Sequence, residues 1–203
     1  MILYGMKRIF INSALRDLQH ENKEDGLFWI TYNSFLSEFT KLYVCKTFEM
    51  PLWKQIILDG EFKGITAAGM KVGESKIENN PQYSIKVSKP CNLFIKLMQK
   101  ETDEKDPKMG KIPIYCMLAN KNGKRIAVLD KKEVIAHSGR PISLTSVSME
   151  TELGSEFNYP RQFTLFVASS RPSSEGTYCI KIYSDAQLKV KLIPLESQYI
   201  SND

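Results

Sequence analysis

Hydrophobic and polar residues alternate with period two along most of this chain, in short runs separated by clusters of Gly, Pro, Ser and Asn. Such alternation is typical of half-buried β-strands, and the clusters between the runs are typical of turns. Because no long helical period interrupts the series, the pattern predicts an all-β fold, an antiparallel β-sandwich of about eight strands. The predicted strands include 83–87, 91–99, 112–119, 125–130, 163–169, 177–184 and 188–195.

One long example of the pattern is QFTLFVASSRPSSEGTYCIKIYSD (162–185). Apolar side chains recur at every second position on both sides of the polar cluster SSRPSSEG (169–176). Two alternating runs around a Ser/Pro/Gly cluster predict a β-hairpin.

The beginning of the chain has a different pattern, which predicts a short α/β segment. GLFWITY (26–32) is rich in β-branched and aromatic residues, so it is predicted to be a strand. The apolar residues that follow are spaced by one, three and four positions, which predicts one face of a short helix. Asn33 or Ser34 is the predicted N-cap. The predicted helix face consists of Phe35, Leu36, Phe39, Leu42 and Tyr43.

These changes of pattern predict three parts along the chain. Residues 1–50 form the α/β segment, residues 51–196 form the sandwich, and residues 197–203 form a disordered tail. No internal repeat or low-complexity linker interrupts this order.

The composition is that of a globular protein, because 42% of the residues are hydrophobic and can fill a core. No apolar run approaches the ~18 residues that a membrane-spanning helix needs. The first ten residues place apolar side chains before Lys7 and Arg8, which is the reverse of a secretory signal. We therefore expect a soluble, cytoplasmic protein without a transmembrane segment.

The formal net charge is +5, from 28 basic and 23 acidic residues that are interleaved along the chain. The densest basic pieces are KNGKR (121–125) and DKKE (130–133). Neither piece lies in a nucleic-acid-binding motif, so we expect no nucleic-acid partner. A basic surface favours an acidic protein or anionic lipid as a partner. The alternative is an ordinary solvated surface.

Candidate catalytic chemistry is limited to the cysteines and two histidines, His20 and His137. A cysteine nucleophile needs an imidazole beside it, and neither histidine lies in a motif that places one there. We therefore predict buried free thiols and no catalytic residue in this chain. The alternative left open is a hydrolase in which the fold brings a histidine to a thiol. The cysteines, none with the close spacing of a zinc site, are Cys45, Cys91, Cys116 and Cys179.

Several motifs resemble those of calpains, the calcium-dependent papain-like cysteine proteases. DGLFWITYNSFLSEFTKLYVCKTF (25–48) resembles the end of the calpain protease core. Five later motifs resemble, in order and in spacing, the C2-like third domain of calpains. These are GEFKGITAAG (60–69), NPQYSIKV (80–87), CNLFIKLMQK (91–100), IPIYCML (112–118) and FTLFVASSRPSSEGTYCIKIYSD (163–185).

The resemblance implies that residues 1–50 are the C-terminal tail of a protease core and that residues 51–196 are the regulatory sandwich. The catalytic Cys, His and Asn of calpains belong to a region that would precede Met1, and nothing in this chain matches their motifs. The resemblance therefore implies a non-catalytic chain whose partner is a protease core in the same polypeptide.

Two loops are relevant to possible calcium binding. The acidic loop that conventional calpains carry after the NPQY strand is replaced here by SKP (88–90), which contains no acid. The next loop, KETDEKDPKMGK (100–111), offers Asp103, Glu104 and Asp106 as candidate oxygen ligands for Ca²⁺. The lysines of that loop favour a solvated loop as the alternative. No cofactor is required, and Ca²⁺ is the candidate.

The resemblance also implies a mechanism, in which the sandwich packs on the protease core, influences its closure, and engages phospholipid or relays calcium binding. The alternative is an autonomous lipid- or protein-binding C2-like module, which the protease-tail residues 25–48 disfavour. The candidates for contact with acidic core surfaces or anionic lipid are Lys121, Lys124, Arg125, Lys131 and Lys132.

Overall fold

The chain divides into two compact units, Met1–Lys46 and Thr47–Asp203. Within these units, the computed structural model describes residues 30–40, 46–70, 76–100, 112–128 and 130–195.

The described part of the first unit contains one helix, α1 (Tyr32–Glu38). The predicted cap at Asn33 or Ser34 is wrong, because the helix begins earlier and Thr31 is its N-cap. The Thr31 side chain accepts a hydrogen bond from the Ser34 backbone N–H at 3.2 Å, which satisfies a donor that the first turn leaves unpaired. Phe35 stacks on Phe39, with ring centroids 4.9 Å apart, as expected for one helix face.

The second unit is an antiparallel sandwich of nine strands, which confirms the predicted fold class. One sheet, here called sheet A, has the strand order β1-β8-β3-β6, and the other, sheet B, has the order β5-β4-β7-β2-β9. The strands are β1 (Lys54–Phe62), β2 (Gln82–Val87), β3 (Cys91–Gln99), β4 (Ile114–Ala119), β5 (Val134–His137), β6 (Ser146–Leu153), β7 (Arg161–Ser169), β8 (Gly176–Ser184) and β9 (Leu188–Leu192).

The core lies between the two sheets and is built from the alternation that the sequence displays. On β3, for example, Leu93, Ile95 and Leu97 point inward and are almost fully buried. The intervening Phe94 and Lys96 lie on the outer face of sheet A and are half-buried. Burial of alternate apolar side chains against the facing sheet is the main stabilising term of such a fold.

The predicted hairpin at 162–185 is wrong, although both of its strands exist. β7 pairs with β2 and β4 in sheet B, whereas β8 pairs with β1 and β3 in sheet A. The polar segment between them therefore crosses from one sheet to the other. Period two specifies which side chains face the core, but it does not specify which strand is the neighbour.

The predicted strand at 125–130 is also absent from the described residues. Ile126 bonds through its backbone N–H and C=O to the side-chain amide of Gln82, at 2.7 and 3.0 Å. Because a side chain has taken the place of a neighbouring strand, this segment stays a loop, followed by a short 3₁₀ turn at Lys131–Glu133. Three strands that were not predicted, β1, β5 and β6, complete the sandwich.

The outer face of sheet B is largely covered by loops. A second hydrophobic cluster there includes Tyr115, Met117 and Phe166 of the sheet, with Ile126 from the loop after β4. This cover explains why β7 is buried on both faces. It leaves the β2–β9 end of the sheet open to solvent.

Some predictions lie outside the described residues, namely most of the strand at 26–32 and the tail at 197–203. No helix in the described ranges is long and apolar enough to cross a membrane.

Candidate anion-binding face

Three lysines stand together on the outer face of sheet B, at its β9 end. Lys86 of β2 lies directly opposite Lys189 of β9, and Ser84 lies opposite Lys191. All three lysines are exposed. Like charges directly opposite each other in a ladder are destabilising, so the fold keeps this arrangement at a cost.

A loop brings a fourth lysine beside them. The Thr164 hydroxyl donates to the backbone carbonyl of Lys124 at 2.7 Å. Gly123, with φ of 70°, lies so close to the sheet that a Cβ there would be 2.6 Å from the Ser84 hydroxyl. The backbone of Lys124 therefore lies beside the sheet on the same face as the ladder lysines, and its side chain is exposed. We call Lys86, Lys124, Lys189 and Lys191 the lysine face.

The guanidinium of Arg125 is hydrogen-bonded to four backbone carbonyls. Its guanidinium donates to the carbonyls of Glu78 and Asn80 at 2.5 and 2.9 Å. It also donates to the carbonyl of Pro194 at 3.3 Å and to that of Ile193. Five N–H donors in a planar fork suit this role, which fastens the segment after β9 to the turn before β2.

The other predicted contact residues lie beside the same loop. Lys121 forms an ion pair with Glu133 at 2.6 Å. Lys131 and Lys132 are exposed on the 3₁₀ turn, and the backbone N–H of Lys132 donates to the capping side chain of Asp130 at 2.9 Å. The structure thus brings the predicted basic residues into one region, with Lys121 and Arg125 engaged in internal contacts and Lys124, Lys131 and Lys132 open to solvent.

The candidate calcium ligands Asp103, Glu104 and Asp106 lie outside the described residues. Within the described ranges, no group of three or more His, Cys, Asp or Glu side chains could hold a metal ion. The calcium assignment stays a prediction.

Three of the four cysteines are described, and all three are buried free thiols, as predicted. Burial raises the pKa of Cys116 to about 12. Burial also raises the pKa of Cys91 and of Cys179. A nucleophilic cysteine needs the opposite shift, toward the thiolate. His137 is exposed and its Nδ1 accepts a hydrogen bond from the Gly139 N–H at 3.0 Å, while Cys45 and His20 lie outside the described residues.

Lys86, Lys189 and Lys191 are not among the residues that the sequence pattern singled out. A signal for two of them was present in LKVKL (188–192), where lysines at alternate positions must share one face of a strand. Their position opposite Lys86 depends on strand register, which only the structure supplies.

Comparison with known proteins gives consistent matches. Residues 58–183 match the family model described as calpain large subunit, domain III. The chain is 24% identical over 207 residues to the calpain-2 catalytic subunit of Bos taurus, which covers 90% of this chain and 29% of that protein. It is 26% identical over 200 residues to the Gallus gallus calpain-2 catalytic subunit, covering 86% of this chain and 28% of that protein. The chain thus spans less than a third of either relative.

Proposed function

This chain belongs to the calpain large-subunit domain III family, and from that premise we propose that it is the non-catalytic regulatory region of a calpain-type cysteine endopeptidase. The observation that carries the proposal is the family match over 58–183, on a chain that folds as a nine-stranded sandwich. Domain III is not the protease domain, so its contribution is regulatory. The match to relatives extends over 86–90% of this chain, beyond the sandwich, which disfavours an autonomous module.

The regulatory mechanism that we propose is a shift in a conformational equilibrium of a protease core in the same polypeptide. A domain can shift such an equilibrium only if it contacts the active and inactive arrangements of the core differently. The exposed side chains of Lys124, Lys131 and Lys132 are available for contact with acidic surfaces of that core.

We further propose that the lysine face binds anionic phospholipid. Support comes from exposed ammonium groups of Lys86, Lys189 and Lys191 that lie on one face and repel one another. A negatively charged surface relieves this repulsion, and each lysine near such a surface contributes about 1 kcal/mol of binding free energy. A cytoplasmic location, where such lipids face the protein, is part of the proposal.

The proposal includes one candidate calcium site. Asp103, Glu104 and Asp106 are the candidate ligands, because carboxylate oxygens are what Ca²⁺ prefers.

Vesicle binding tests the lipid part. We expect the 203-residue chain to co-sediment at low salt with phosphatidylserine vesicles and not with phosphatidylcholine vesicles. The double variant K189Q/K191Q should bind about 30-fold more weakly, since it loses about 2 kcal/mol of electrostatic attraction.

The matched control is K96Q/K181Q, which removes the same charge from the opposite sheet. It should bind vesicles as the unmodified chain does. Failure of the unmodified chain to bind at low salt, or equal binding by K189Q/K191Q, would overturn the proposal.

A further inference from the structure

The loop after β4 reverses its direction at the pair Asn122–Gly123. Asn122 is the only asparagine of the chain that a glycine follows. Both residues have a positive φ, 53° and 70°. The backbone N–H of Lys124 donates to the carbonyl of Lys121 at 3.0 Å, so the four residues form a type I′ turn.

No hydrogen bond holds the side-chain amide of Asn122 or the backbone N–H of Gly123. Within the described ranges, none is recorded for either group. The hydrogen bond of a β-turn joins its first and fourth residues, so the N–H of the third residue has no part in it. The side chain of Asn122 is exposed to water, and Gly123 has no Cβ that would obstruct an approach to its nitrogen. The amide carbon and the next backbone nitrogen are therefore both free to react.

We propose that Asn122 is a site of spontaneous deamidation. The Gly123 nitrogen loses its proton and attacks Cγ of Asn122, so that an N–Cγ bond forms. The Cγ–Nδ2 bond breaks, and the amide nitrogen takes up a proton and leaves as ammonia. Water then opens the resulting succinimide ring at one of its two carbonyl carbons. Opening at Cγ yields aspartate, and opening at the main-chain carbonyl yields isoaspartate, in which the chain continues through the side chain.

Either product places a new negative charge beside the lysine face. A carboxyl group of this kind is ionised at neutral pH. Gly123 lies against that face, because a Cβ on it would be 2.6 Å from both the Ser84 hydroxyl and the Gln162 side-chain oxygen. Ser84 lies opposite Lys191 in the ladder, and Lys124 is the next residue after the pair.

Deamidation therefore lowers the attraction of the lysine face for anions, since a negative charge is added to a positive surface. The effect on lipid binding rests on the function proposed above, whereas the chemical step at Asn122 does not. The modification needs no enzyme and no oxidant, only water. It makes the charge of this surface depend on the age of the molecule.

Peptide mapping by mass spectrometry of the full 203-residue chain tests the chemical step. After incubation at mildly alkaline pH and physiological temperature, we expect the peptide that contains Asn122 to convert to aspartate and isoaspartate. Conversion should be faster at higher pH, because the attacking nitrogen must be deprotonated. The folded chain should convert within about tenfold of the rate of the same chain in urea, since no recorded bond has to open first.

Asn158 is the internal control. It is also exposed and makes no recorded side-chain bond within the described ranges, but a tyrosine follows it. It should stay unchanged in the folded chain, and so should the variant Asn122→Gln at the substituted position. Absence of conversion at Asn122 in the folded chain, or equal conversion at Asn158, overturns the proposal.

The variant Asn122→Asp isolates the new charge. It should bind phosphatidylserine vesicles at low salt about fivefold more weakly than the unmodified chain, because it carries one more negative charge near the membrane. The control Ser148→Asp adds the same charge to the exposed face of sheet A and should bind as the unmodified chain does. Equal binding by Asn122→Asp and the unmodified chain overturns the effect on the lysine face. Failure of the unmodified chain to bind overturns the lipid-binding proposal instead, and peptide mapping still decides the deamidation.

Discussion

At the scale of single residues, the feature that joins the two sheets is a pair of tyrosines in the middle of the core. The hydroxyl of Tyr83, on β2, and that of Tyr178, on β8, are 2.8 Å apart and form a buried hydrogen bond. Gly60 makes room for this pair, because a Cβ there would overlap the ring of Tyr178. Burial raises the pKa of both hydroxyls, so the pair is neutral at physiological pH.

Each hydroxyl is the hydrogen-bond partner of the other, so removing both should cost less than the sum of the two single removals. We expect Tyr83→Phe and Tyr178→Phe each to lower the free energy of unfolding by about 1–3 kcal/mol, because the remaining buried hydroxyl loses its partner. The double variant should cost less than the sum of the two. Urea denaturation of all four proteins measures this, and strict additivity would contradict the pairing.

At the scale of elements, β9 depends on contacts at its end as well as on its ladder. The Ile193 N–H donates to the backbone carbonyl of Gln82 at 2.8 Å, one residue beyond the strand. The guanidinium of Arg125 then holds the carbonyls of Ile193 and Pro194. These contacts, here called the Arg125 contacts, stabilise the end of β9, a strand of five residues at the edge of sheet B.

Replacing Arg125 should lower the local stability of β9 and leave the rest of the sandwich unchanged. Arg125→Lys keeps the charge but cannot reach several carbonyls at once, and we expect a loss of about 2–4 kcal/mol of local stability. Hydrogen exchange at the Ile193 amide should become faster, while exchange in β3 changes little.

Lys124→Gln is the matched control, since that exposed side chain makes no recorded bond within the described ranges. Unchanged exchange at Ile193 in Arg125→Lys would show that the ladder alone holds the strand.

At the scale of the whole molecule, the unit Thr47–Asp203 carries its own N-terminal anchor. Phe48 stacks on Tyr183 at 4.0 Å and meets the ring of Trp53 edge-on at 5.0 Å. The chain thus becomes part of the sandwich before β1 begins. This anchor sets where the second unit starts.

Two truncations test that boundary. A chain that begins at Thr47 should keep the unfolding transition of the sandwich, because the ring contacts of Phe48 with Trp53, Phe94 and Tyr183 are retained. A chain that begins at Lys54 should lose about 1–3 kcal/mol, since the ring contacts of Phe48 with Tyr183 and Phe94 are removed and each contributes about 0.5–1.5 kcal/mol. Circular dichroism during thermal unfolding compares them, and equal stability of the two would contradict the assignment of Phe48 as an anchor.

Alternation along single strands was readable from the sequence, and pairing between strands was not. The run at 91–99 is β3 residue for residue, because its inward apolar side chains are regular. The strand β6 was not predicted, because residues that are uncommon in strands, such as Glu150 and Glu152, occupy its outer positions. The opposed lysines on sheet B depend on register between strands that are far apart in sequence, which no local pattern encodes.

The lysines of β9 have one more consequence, for self-association. β9 ends the order of sheet B, so one of its edges is unpaired among the described strands. An open edge can extend its sheet with a strand of another molecule, and lysines on an edge strand oppose this because a second copy brings the same charges together. An anionic ligand that neutralises Lys189 and Lys191 therefore removes the protection of that edge. The lipid binding that we propose and the resistance of this edge to self-association thus rest on the same two side chains.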